Sequence, residues 1–301
     1  MTRCTATAGK SFLAGDDMKV LVVGAKGMLG SELLSVFQKH TDGYEVSGLD
    51  LPEVDITKPD SCRTAVVDLH PDVVINAAAF VRVDDCETQH EAAFGVNAEG
   101  AGNLAKAAAA SGAFLIHYST DYIFNGQKMD GYLEDDAPDP RSAYGESKLL
   151  GEILVRHHCP DHMIIRISWL FGNNGPNFIR TIVEAARKGN PLRVVNDQRG
   201  SPTYARDVAV QTLKMVDAGC RGTYHVTNAG ACSWYDLAVR AVAWAGISNV
   251  TATPVASSEY KRPAPRPACS ILVDTRLVKE GLSRMRPWQE AACEYVRQYL
   301  A

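Results

Sequence analysis

The sequence lacks the features that mark membrane-bound, disulfide-rich and strongly charged proteins. Its eight cysteines are scattered, with neither a C-x-x-C pair nor a His/Cys cluster at zinc spacing. The net charge is only −4 over 301 residues, which gives no overall attraction to nucleic acid or to an anionic membrane. We therefore expect reduced thiols, no metal, and neither nucleic acid nor membrane as a partner.

An apolar amino-terminal segment that would direct secretion is also lacking. Residues 1–17 contain one Arg and one Lys but no apolar core of the kind found in signal peptides. The first apolar run, Val20 to Gly24, has the length of a strand and is too short to cross a bilayer. We predict that residues 1–17 are a disordered extension and that the protein is cytoplasmic.

From residue 18 onward, strand-like and helix-like segments alternate. Lys19–Val23 is a β-branched run, and Met28 to His40 carries apolar residues at helical spacing. The same alternation continues to a strand at Met163–Ile167, and it includes one Ala-rich helix predicted from about Glu87 to Ser111. Apolar strands separated by helices predict a parallel sheet covered on both faces, wound with right-handed connections.

Three glycines, Gly24, Gly27 and Gly30, follow the first strand and open the first helix. Glycines in this place permit a tight turn and a close approach of the backbone to a pyrophosphate. The anion then lies on the free N–H groups of the helix start, near Met28 and Leu29, where the helix dipole favours it. The loop predicts a dinucleotide site; the alternative is a glycine turn without a ligand.

The cofactor is predicted to be NADPH or NADH. Asp50 ends the second strand, where its carboxylate is placed to accept from the adenine ribose and favours NAD. Lys26 in the loop is an alternative partner, because its ammonium would neutralise the 2′-phosphate of NADP. Further residues expected beside the cofactor are Asp55, Ile56, Asn76, Ala77, Ala78 and Ala79.

The alternation weakens after Trp169, where prolines interrupt a more irregular half. We predict an α/β fold, a doubly wound parallel Rossmann sheet with a smaller C-terminal substrate-binding lobe. The dinucleotide-binding domain is predicted to span 18–168 with returns near 203–230, and the lobe to comprise 169–202 and 231–301.

Tyr144 and Lys148 lie four residues apart on a predicted helix and therefore project from one face. A phenol is a poor acid or base near neutral pH, and a neighbouring ammonium lowers its pKa by favouring the phenolate. Thr120 ends the strand that precedes this helix, at the sheet edge where ligands bind. We predict Thr120, Tyr144 and Lys148 as catalytic; the alternative for Thr120 is a turn cap.

These segments together resemble the dTDP-4-dehydrorhamnose reductase family of extended short-chain dehydrogenases. The resemblance rests on "STDYIF", "AYGESKLLGE", "VNAEGAGNLAKAA", "RISWLFG", "NDQRGSPTYARDVA" and "PRPACSIL", and it runs through most of Met18 to Leu272. One departure is "NAAAFVRVDDCE", in which Phe80 and Val81 replace hydroxyl-bearing residues.

The resemblance implies roles for further residues. It places Asp121, Tyr122 and Trp169 around a sugar, Asn97 beside the cofactor, and the loop 197–203 over the substrate side. The alternative for Trp169 is a position in the apolar core. It implies a dTDP-sugar as substrate and leaves a homodimer open.

Three arginines are candidates for charged contacts. Arg199 and Arg266 lie in proline-containing loops and are candidates for the diphosphate of a sugar nucleotide; the alternative for both is a solvated surface position. Arg166 lies within a strand, where it would either pair with Glu152 or contact a diphosphate.

The hypothesis for function is hydride transfer to the 4-keto group of dTDP-4-dehydro-L-rhamnose, with Tyr144 as the proton donor. A sugar-nucleotide epimerase or dehydratase is a first alternative. A dehydratase typically has an Asp-Glu pair directly after the threonine as an additional acid and base, whereas here Asp121 is followed by Tyr122. Another nucleotide-sugar ketoreductase would share the same motifs. The sequence also resembles the regulatory β subunit of methionine adenosyltransferase, which would act by association and without turnover.

Overall fold

A computed structural model describes residues 17–40 and 43–301 and places a six-stranded sheet at the centre. The predicted disordered extension, residues 1–17, lies outside the described residues apart from Asp17. None of the described helices is both long and apolar enough to span a bilayer.

The strands, in chain order, are β1 (Met18–Val23), β2 (Tyr44–Leu49), β3 (Val73–Asn76), β4 (Phe114–Thr120), β5 (His162–Ile167), β6 (Leu170–Phe171), β7 (Leu192–Val195), β8 (Arg199–Gly200), β9 (Thr203–Tyr204), β10 (Gly222–His225), β11 (Cys232–Ser233) and β12 (Ala252–Val255). The helices are α1 (Met28–Lys39), α2 (Pro59–Leu69), α3 (Val83–Cys86), α4 (His90–Phe94), α5 (Ala101–Ser111), α6 (Ala143–His158), α7 (Phe178–Arg187), α8 (Ala205–Asp217), α9 (Trp234–Trp244), α10 (Thr275–Lys279) and α11 (Trp288–Tyr299).

The central sheet has the strand order β10-β5-β4-β3-β1-β2, and every neighbouring pair is parallel. Chain order reverses at β1, which lies between β2 and β3. Val23, Asn76 and His117 lie side by side in the register, so the ends of β1 and β3 adjoin the last part of β4. The predicted doubly wound parallel sheet is confirmed, and its ligand-binding edge is where those strands end.

Helices cover both faces of the sheet. On one face α1 and α8 pack through Leu33, Phe37 and Val208, and on the other α5 and α6 pack through Leu104 and Val155. All five side chains are fully buried. Each such side chain contributes roughly 1.5–3 kcal/mol by leaving water, so the two layers hold the strand ends rigidly.

The later part of the chain forms a second apolar cluster. Helices α7, α9 and α11 pack around Tyr204, Trp288 and Tyr295. Short strand pairs, β6 with β9, β7 with β12 and β8 with β11, tie the intervening loops together. β10 then returns to the central sheet beside β5.

The helix predicted from about Glu87 to Ser111 is confirmed from His90 onward, but its middle part is a π-helix. The structure has α4, then a π-helix over Gly95–Gly100, then α5. The wide turn carries Asn97, whose amide bonds both backbone groups of Phe80. Gly151 of α6 packs so closely that a Cβ there would lie 2.2 Å from the Asn97 carbonyl oxygen. Contacts across the fold thus replace regular helical bonding here, as is common at functional sites.

Candidate active site

The predicted loop glycines pack the turn after β1 against the end of β3. Gly24 has a φ of 83°, and a Cβ there would lie 2.5 Å from the backbone nitrogen of Ala78. A Cβ on Gly30 would lie 2.0 Å from the Gly24 carbonyl oxygen. No side chain of the described residues caps α1, so the N–H groups of Met28 and Leu29 are available to an anion.

A cavity of about 480 Å³ opens beside this loop. Its walls include nine residues predicted for the cofactor, namely Gly24, Lys26, Gly27, Asp50, Asp55, Ile56, Ala77, Ala78 and Ala79. Phe80 and Val96 also line it, although the sequence analysis assigned neither to the cofactor. The volume lies within the roughly 300–1,000 Å³ typical of small-molecule sites.

Asp50 and Lys26 are held together at the mouth of this cavity. Asp50 accepts hydrogen bonds from the backbone nitrogens of Lys26 and Leu51, at 2.9 and 2.8 Å. The Lys26 ammonium lies 3.1 Å from a Glu53 carboxylate oxygen. A carboxylate for a ribose hydroxyl and an ammonium for a 2′-phosphate are both present, so NADH and NADPH both fit.

Two residues predicted for the cofactor, Asn76 and Asn97, are buried and bonded to protein groups. Asn76 accepts from the Ala78 backbone nitrogen at 3.1 Å, and its Nδ2 lies 3.2 Å from Nδ1 of His117. Asn97 accepts from the Phe80 nitrogen at 2.8 Å and donates to the Phe80 carbonyl at 3.0 Å. Both amides therefore lie behind the cavity wall and position its backbone.

Several predicted site residues meet at the end of β4. The buried Thr120 hydroxyl donates to the Asp121 carboxylate at 2.9 Å and accepts from the Tyr122 nitrogen at 3.2 Å. The Tyr122 ring meets the Tyr144 ring edge-on with centroids 5.5 Å apart. Burial raises the pKa of the Asp121 carboxyl to about 6 against the hydrogen bonds that it accepts.

The start of α6 is fixed by two hydrogen bonds, and this sets where the next two turns lie. The Ser142 hydroxyl caps the helix by accepting from the Gly145 nitrogen at 3.2 Å. Glu87 accepts from the first helical nitrogen, that of Ala143, at 2.9 Å. As a result, Tyr144 and Lys148 follow one turn apart and face the end of β4.

Lys148 is buried and directed at the backbone of β4. Its ammonium donates to the Tyr118 carbonyl at 2.7 Å and lies 3.5 Å from Nε2 of His117. Burial lowers the pKa of Lys148 to about 8, and the charge of Glu152 opposes this.

The expectation that Lys148 lowers the pKa of Tyr144 is wrong for this arrangement. Burial raises the pKa of the phenol, and the charge of Asp121 raises it further, while the hydrogen bond with Thr120 opposes the rise. The ammonium is engaged by the Tyr118 carbonyl instead. Tyr144 is therefore a protonated phenol at neutral pH, the state that a proton donor needs.

Arg166 pairs with Glu152 below the site, which decides between the two alternatives for this arginine. Two guanidinium nitrogens donate to the two Glu152 oxygens at 2.9 and 2.8 Å, and both side chains are almost wholly buried. The arginines lower the pKa of Glu152 to about 2 against the effect of burial, so the carboxylate stays charged beside Lys148.

A second cavity, of about 710 Å³, has Tyr122 in its wall. Tyr122 and Arg266 are the predicted substrate residues that line it. Gln198, from the loop 197–203 that was expected over the substrate side, lines it as well. Trp234 and Arg193 also line it, and the sequence analysis missed both. No motif marks them, since they approach Tyr122 only through the packing of α9 and β7.

Three predicted substrate residues, Asp121, Trp169 and Arg199, do not line this cavity. Trp169 has a φ of 45° and stacks on Trp234 with ring centroids 3.4 Å apart. Its indole packs on Gly200, where a Cβ would lie 2.3 Å from the ring. Arg199 is exposed, and its backbone joins β8 to the segment at Ala268. Among residues 17–40 and 43–301, no group of His, Cys, Asp and Glu could hold a metal ion.

Comparison with known proteins identifies the family. The model for the RmlD substrate binding domain matches residues 18–301. The chain is 42% identical to the spore coat polysaccharide biosynthesis protein SpsK of Bacillus subtilis, over 93% of the chain and 97% of that protein. It is 40% identical to the dTDP-4-dehydrorhamnose reductase of Mycolicibacterium smegmatis, over 91% of the chain and 83% of that protein.

Solved structures agree with this assignment. The dTDP-4-dehydrorhamnose reductase of Bacillus anthracis, solved in complex with NADP, superposes with a TM-score of 0.90 at 34% identity. The match covers 94% of this chain and 99% of that one. From the glycine loop to the last helix, this chain belongs to the RmlD family, that of the dTDP-4-dehydrorhamnose reductases.

Proposed function

We propose that this chain reduces the 4-keto group of dTDP-4-dehydro-L-rhamnose to give dTDP-L-rhamnose, with NADPH or NADH as the hydride donor. One observation carries the proposal: Tyr144 is connected by packing to one wall of each cavity. Tyr144 packs against the small cluster of Cys86, Ala93 and Ala143, and so does Phe80, which lines the nucleotide cavity. The Tyr144 ring also meets the ring of Tyr122, which lines the second cavity.

The glycine loop supports a dinucleotide in the first cavity. The space beside Gly24 and Gly30 is so narrow that a Cβ at either position would overlap backbone atoms. The residues proposed to hold the cofactor are Gly24, Lys26, Gly27, Met28, Leu29, Gly30, Asp50, Asp55, Ile56, Ala77, Ala78 and Ala79. Asn76 and Asn97 are proposed to position them through the backbone contacts described above.

The proposed chemistry assigns a task to each polar group at the end of β4. The bound nicotinamide supplies the hydride to C4 of the sugar. Tyr144, kept protonated by burial, donates its phenolic proton to the oxygen formed at C4. Thr120 orients that oxygen by a hydrogen bond, and the Lys148 ammonium is proposed to hold the ribose of the nicotinamide.

The second cavity suits the remaining parts of a sugar nucleotide. Arg266 and Arg193 supply positive charge for a diphosphate, and the Trp234 ring supplies a flat apolar face for the base or sugar. Arg266 is held by Asp84 at 3.0 Å, an ion pair that a diphosphate would replace. Trp169 is proposed to act indirectly, by stacking on Trp234 and fixing its ring. Arg199 is proposed to act through its backbone, which pairs with Ser233 directly before Trp234.

The test is oxidation of NADPH and of NADH, followed by absorbance, with dTDP-4-keto-6-deoxy-L-mannose prepared in situ. We expect turnover, and we expect Tyr144→Phe to remove nearly all of it while nucleotide binding measured by calorimetry stays within about twofold. A purified chain that binds the dinucleotide but turns over no keto-sugar would refute the proposal and favour the regulatory-subunit alternative. Turnover with a recycled, tightly held cofactor would favour an epimerase.

We also propose that the chain works in the cytoplasm as a homodimer. The described cysteines are free thiols, six of them buried, which suits a reducing compartment. Light scattering after gel filtration would measure the mass, and a monomer at micromolar concentration would contradict the dimer.

A further inference from the structure

The buried histidine beside Lys148 is the group in this site to which the proposed chemistry gives no task. His117 belongs to β4 and is 1% exposed, and each of its ring nitrogens faces a polar side chain. Nδ1 lies 3.2 Å from Nδ2 of Asn76, and Nε2 lies 3.5 Å from Nζ of Lys148. Because burial and the nearby Lys148 charge lower its pKa well below the usual range, the ring is neutral and carries one proton.

The position of that proton follows from a backbone group. The Ala78 nitrogen donates to Oδ1 of Asn76 at 3.1 Å, and a backbone N–H cannot become an acceptor. The Asn76 amide is therefore fixed with its NH₂ group towards His117. Nδ1 of His117 must accept from that NH₂ group, so the ring proton is on Nε2.

The chain of hydrogen bonds thus ends in a donor that faces an amine. We propose that Asn76 holds His117 in the tautomer protonated on Nε2, and that His117 is a positioning residue that directs this N–H at Nζ of Lys148. An ammonium group cannot accept this hydrogen, whereas a neutral amine can. His117 thereby disfavours the charged lysine and turns its protons towards the Tyr118 carbonyl and away from the His117 ring.

The inference rests on the proposed function only where it concerns turnover. The charged or titratable groups that act on Lys148 and His117 are Glu152 on the helix of the lysine, Arg156 and Arg166, which pair with Glu152, and His162 on β5. Glu152 is the group among these that favours the ammonium. Burial lowers the pKa of Lys148 to about 8, and the N–H of His117 that faces Nζ acts in the same direction. Loss of this proton limits the alkaline side of the activity profile.

The first experiment determines the tautomer in the intact wild-type chain. Long-range ¹H–¹⁵N correlation spectra distinguish protonated from bare ring nitrogens, and His117→Gln identifies the His117 signals by their loss. We expect a protonated Nε2 and a bare Nδ1. A protonated Nδ1 would overturn the proposal whether or not the chain reduces a keto-sugar, so this measurement stands apart from the test of function.

The second experiment uses Asn76→Asp to reverse the direction of the hydrogen bonds that run from residue 76 through His117 to Lys148. The new carboxylate still accepts from the Ala78 nitrogen, but it now also accepts from Nδ1–H, which leaves a bare Nε2 that accepts from the lysine ammonium. We expect the spectra to show a protonated Nδ1 and a bare Nε2, the opposite of the wild type. We also expect the alkaline limb of kcat/KM to move up by about one pH unit or more, which corresponds to a tenfold change in the proton affinity of Lys148.

The negative charge that Asn76→Asp adds also favours the ammonium, so a matched control is needed. The same Asn76→Asp change is made in a His117→Phe background, where no tautomer exists. We expect most of the shift to disappear there, which assigns it to the ring. A shift of equal size in both backgrounds would show that charge alone acts and would refute the positioning role.

Discussion

Replacing Asp121 with asparagine tests what it costs the fold to keep a carboxylate buried beside Thr120. The Asp121 side chain is 2% exposed and accepts from the Thr120 hydroxyl and from the Ser168 hydroxyl, at 2.9 and 3.2 Å. Asparagine has the same shape and keeps one oxygen for Thr120, while the Ser168 hydroxyl can turn to accept from the new NH₂ group. The main change is the loss of a charge.

The pKa of Asp121 gives the size and the pH dependence of the effect. Burial raises it from an ordinary 3.8 to about 6, so the folded protein binds this proton more tightly than the unfolded chain. A raised carboxyl pKa contributes stability that is present below pH about 3.8 and is lost as pH rises through about 6. Asp121→Asn should therefore raise the free energy of unfolding by about 3 kcal/mol at pH 8 and by only about 0.5 kcal/mol at pH 4.

Urea denaturation followed by tryptophan fluorescence at these two pH values measures both differences, provided that the two proteins have the same m-value. A gain that is equal at pH 4 and pH 8 would show that the carboxylate is not the cause. A loss of stability at pH 8 would show that the hydrogen bonds of Asp121 outweigh its desolvation. We expect the stabilised variant to turn over substrate more slowly, because Asp121 orients the Thr120 hydroxyl.

Other parts of the site give three further expectations. Glu152→Gln removes the carboxylate that neutralises the buried Arg166 and should cost about 3–5 kcal/mol in thermal or urea unfolding; a cost below about 1 kcal/mol would mean that the pair behaves like an exposed one. Gly30→Ala forces the start of α1 away from the Gly24 carbonyl and should abolish NADPH binding in calorimetry, so unchanged affinity would contradict the close-packed loop. Trp234→Leu should raise the KM for the sugar nucleotide about tenfold, roughly 1.4 kcal/mol, with little change in kcat; an unchanged KM would remove this ring from the proposed substrate contacts.

The nucleotide half of the site was open to prediction because its determinants are local. Gly24, Gly27 and Gly30 follow a recognisable strand within seven residues, and the contacts that require glycine involve the same turn and the adjacent end of β3. The position of Thr120 at a strand end follows from apolar periodicity alone. Because parallel pairing brings these strand ends to one edge of the sheet, the prediction of the fold also predicted the edge at which ligands bind.

What the sequence did not predict depends on contacts between distant segments. Lys148 was expected to act on Tyr144, four residues away, but its nearest partners are Tyr118 and His117 on another element. Trp234 was missed because only the packing of α9 brings it to the second cavity, 112 positions after Tyr122. A short-range pattern carries no information about such contacts, so the roles of individual site residues stay predictions.

The interleaved order of the central sheet has a consequence for synthesis on the ribosome. Five of its six strands lie before residue 168, and the cavity proposed for the cofactor is lined by residues between 23 and 96. The second cavity requires residues as late as 266, and the edge strand β10 comes only at Gly222–His225. Because the chain is synthesised from its amino end, all residues that line the proposed dinucleotide cavity emerge long before the last residues that line the second cavity. A cofactor bound at that stage would stabilise the incomplete sheet before β10 is synthesised and pairs with β5.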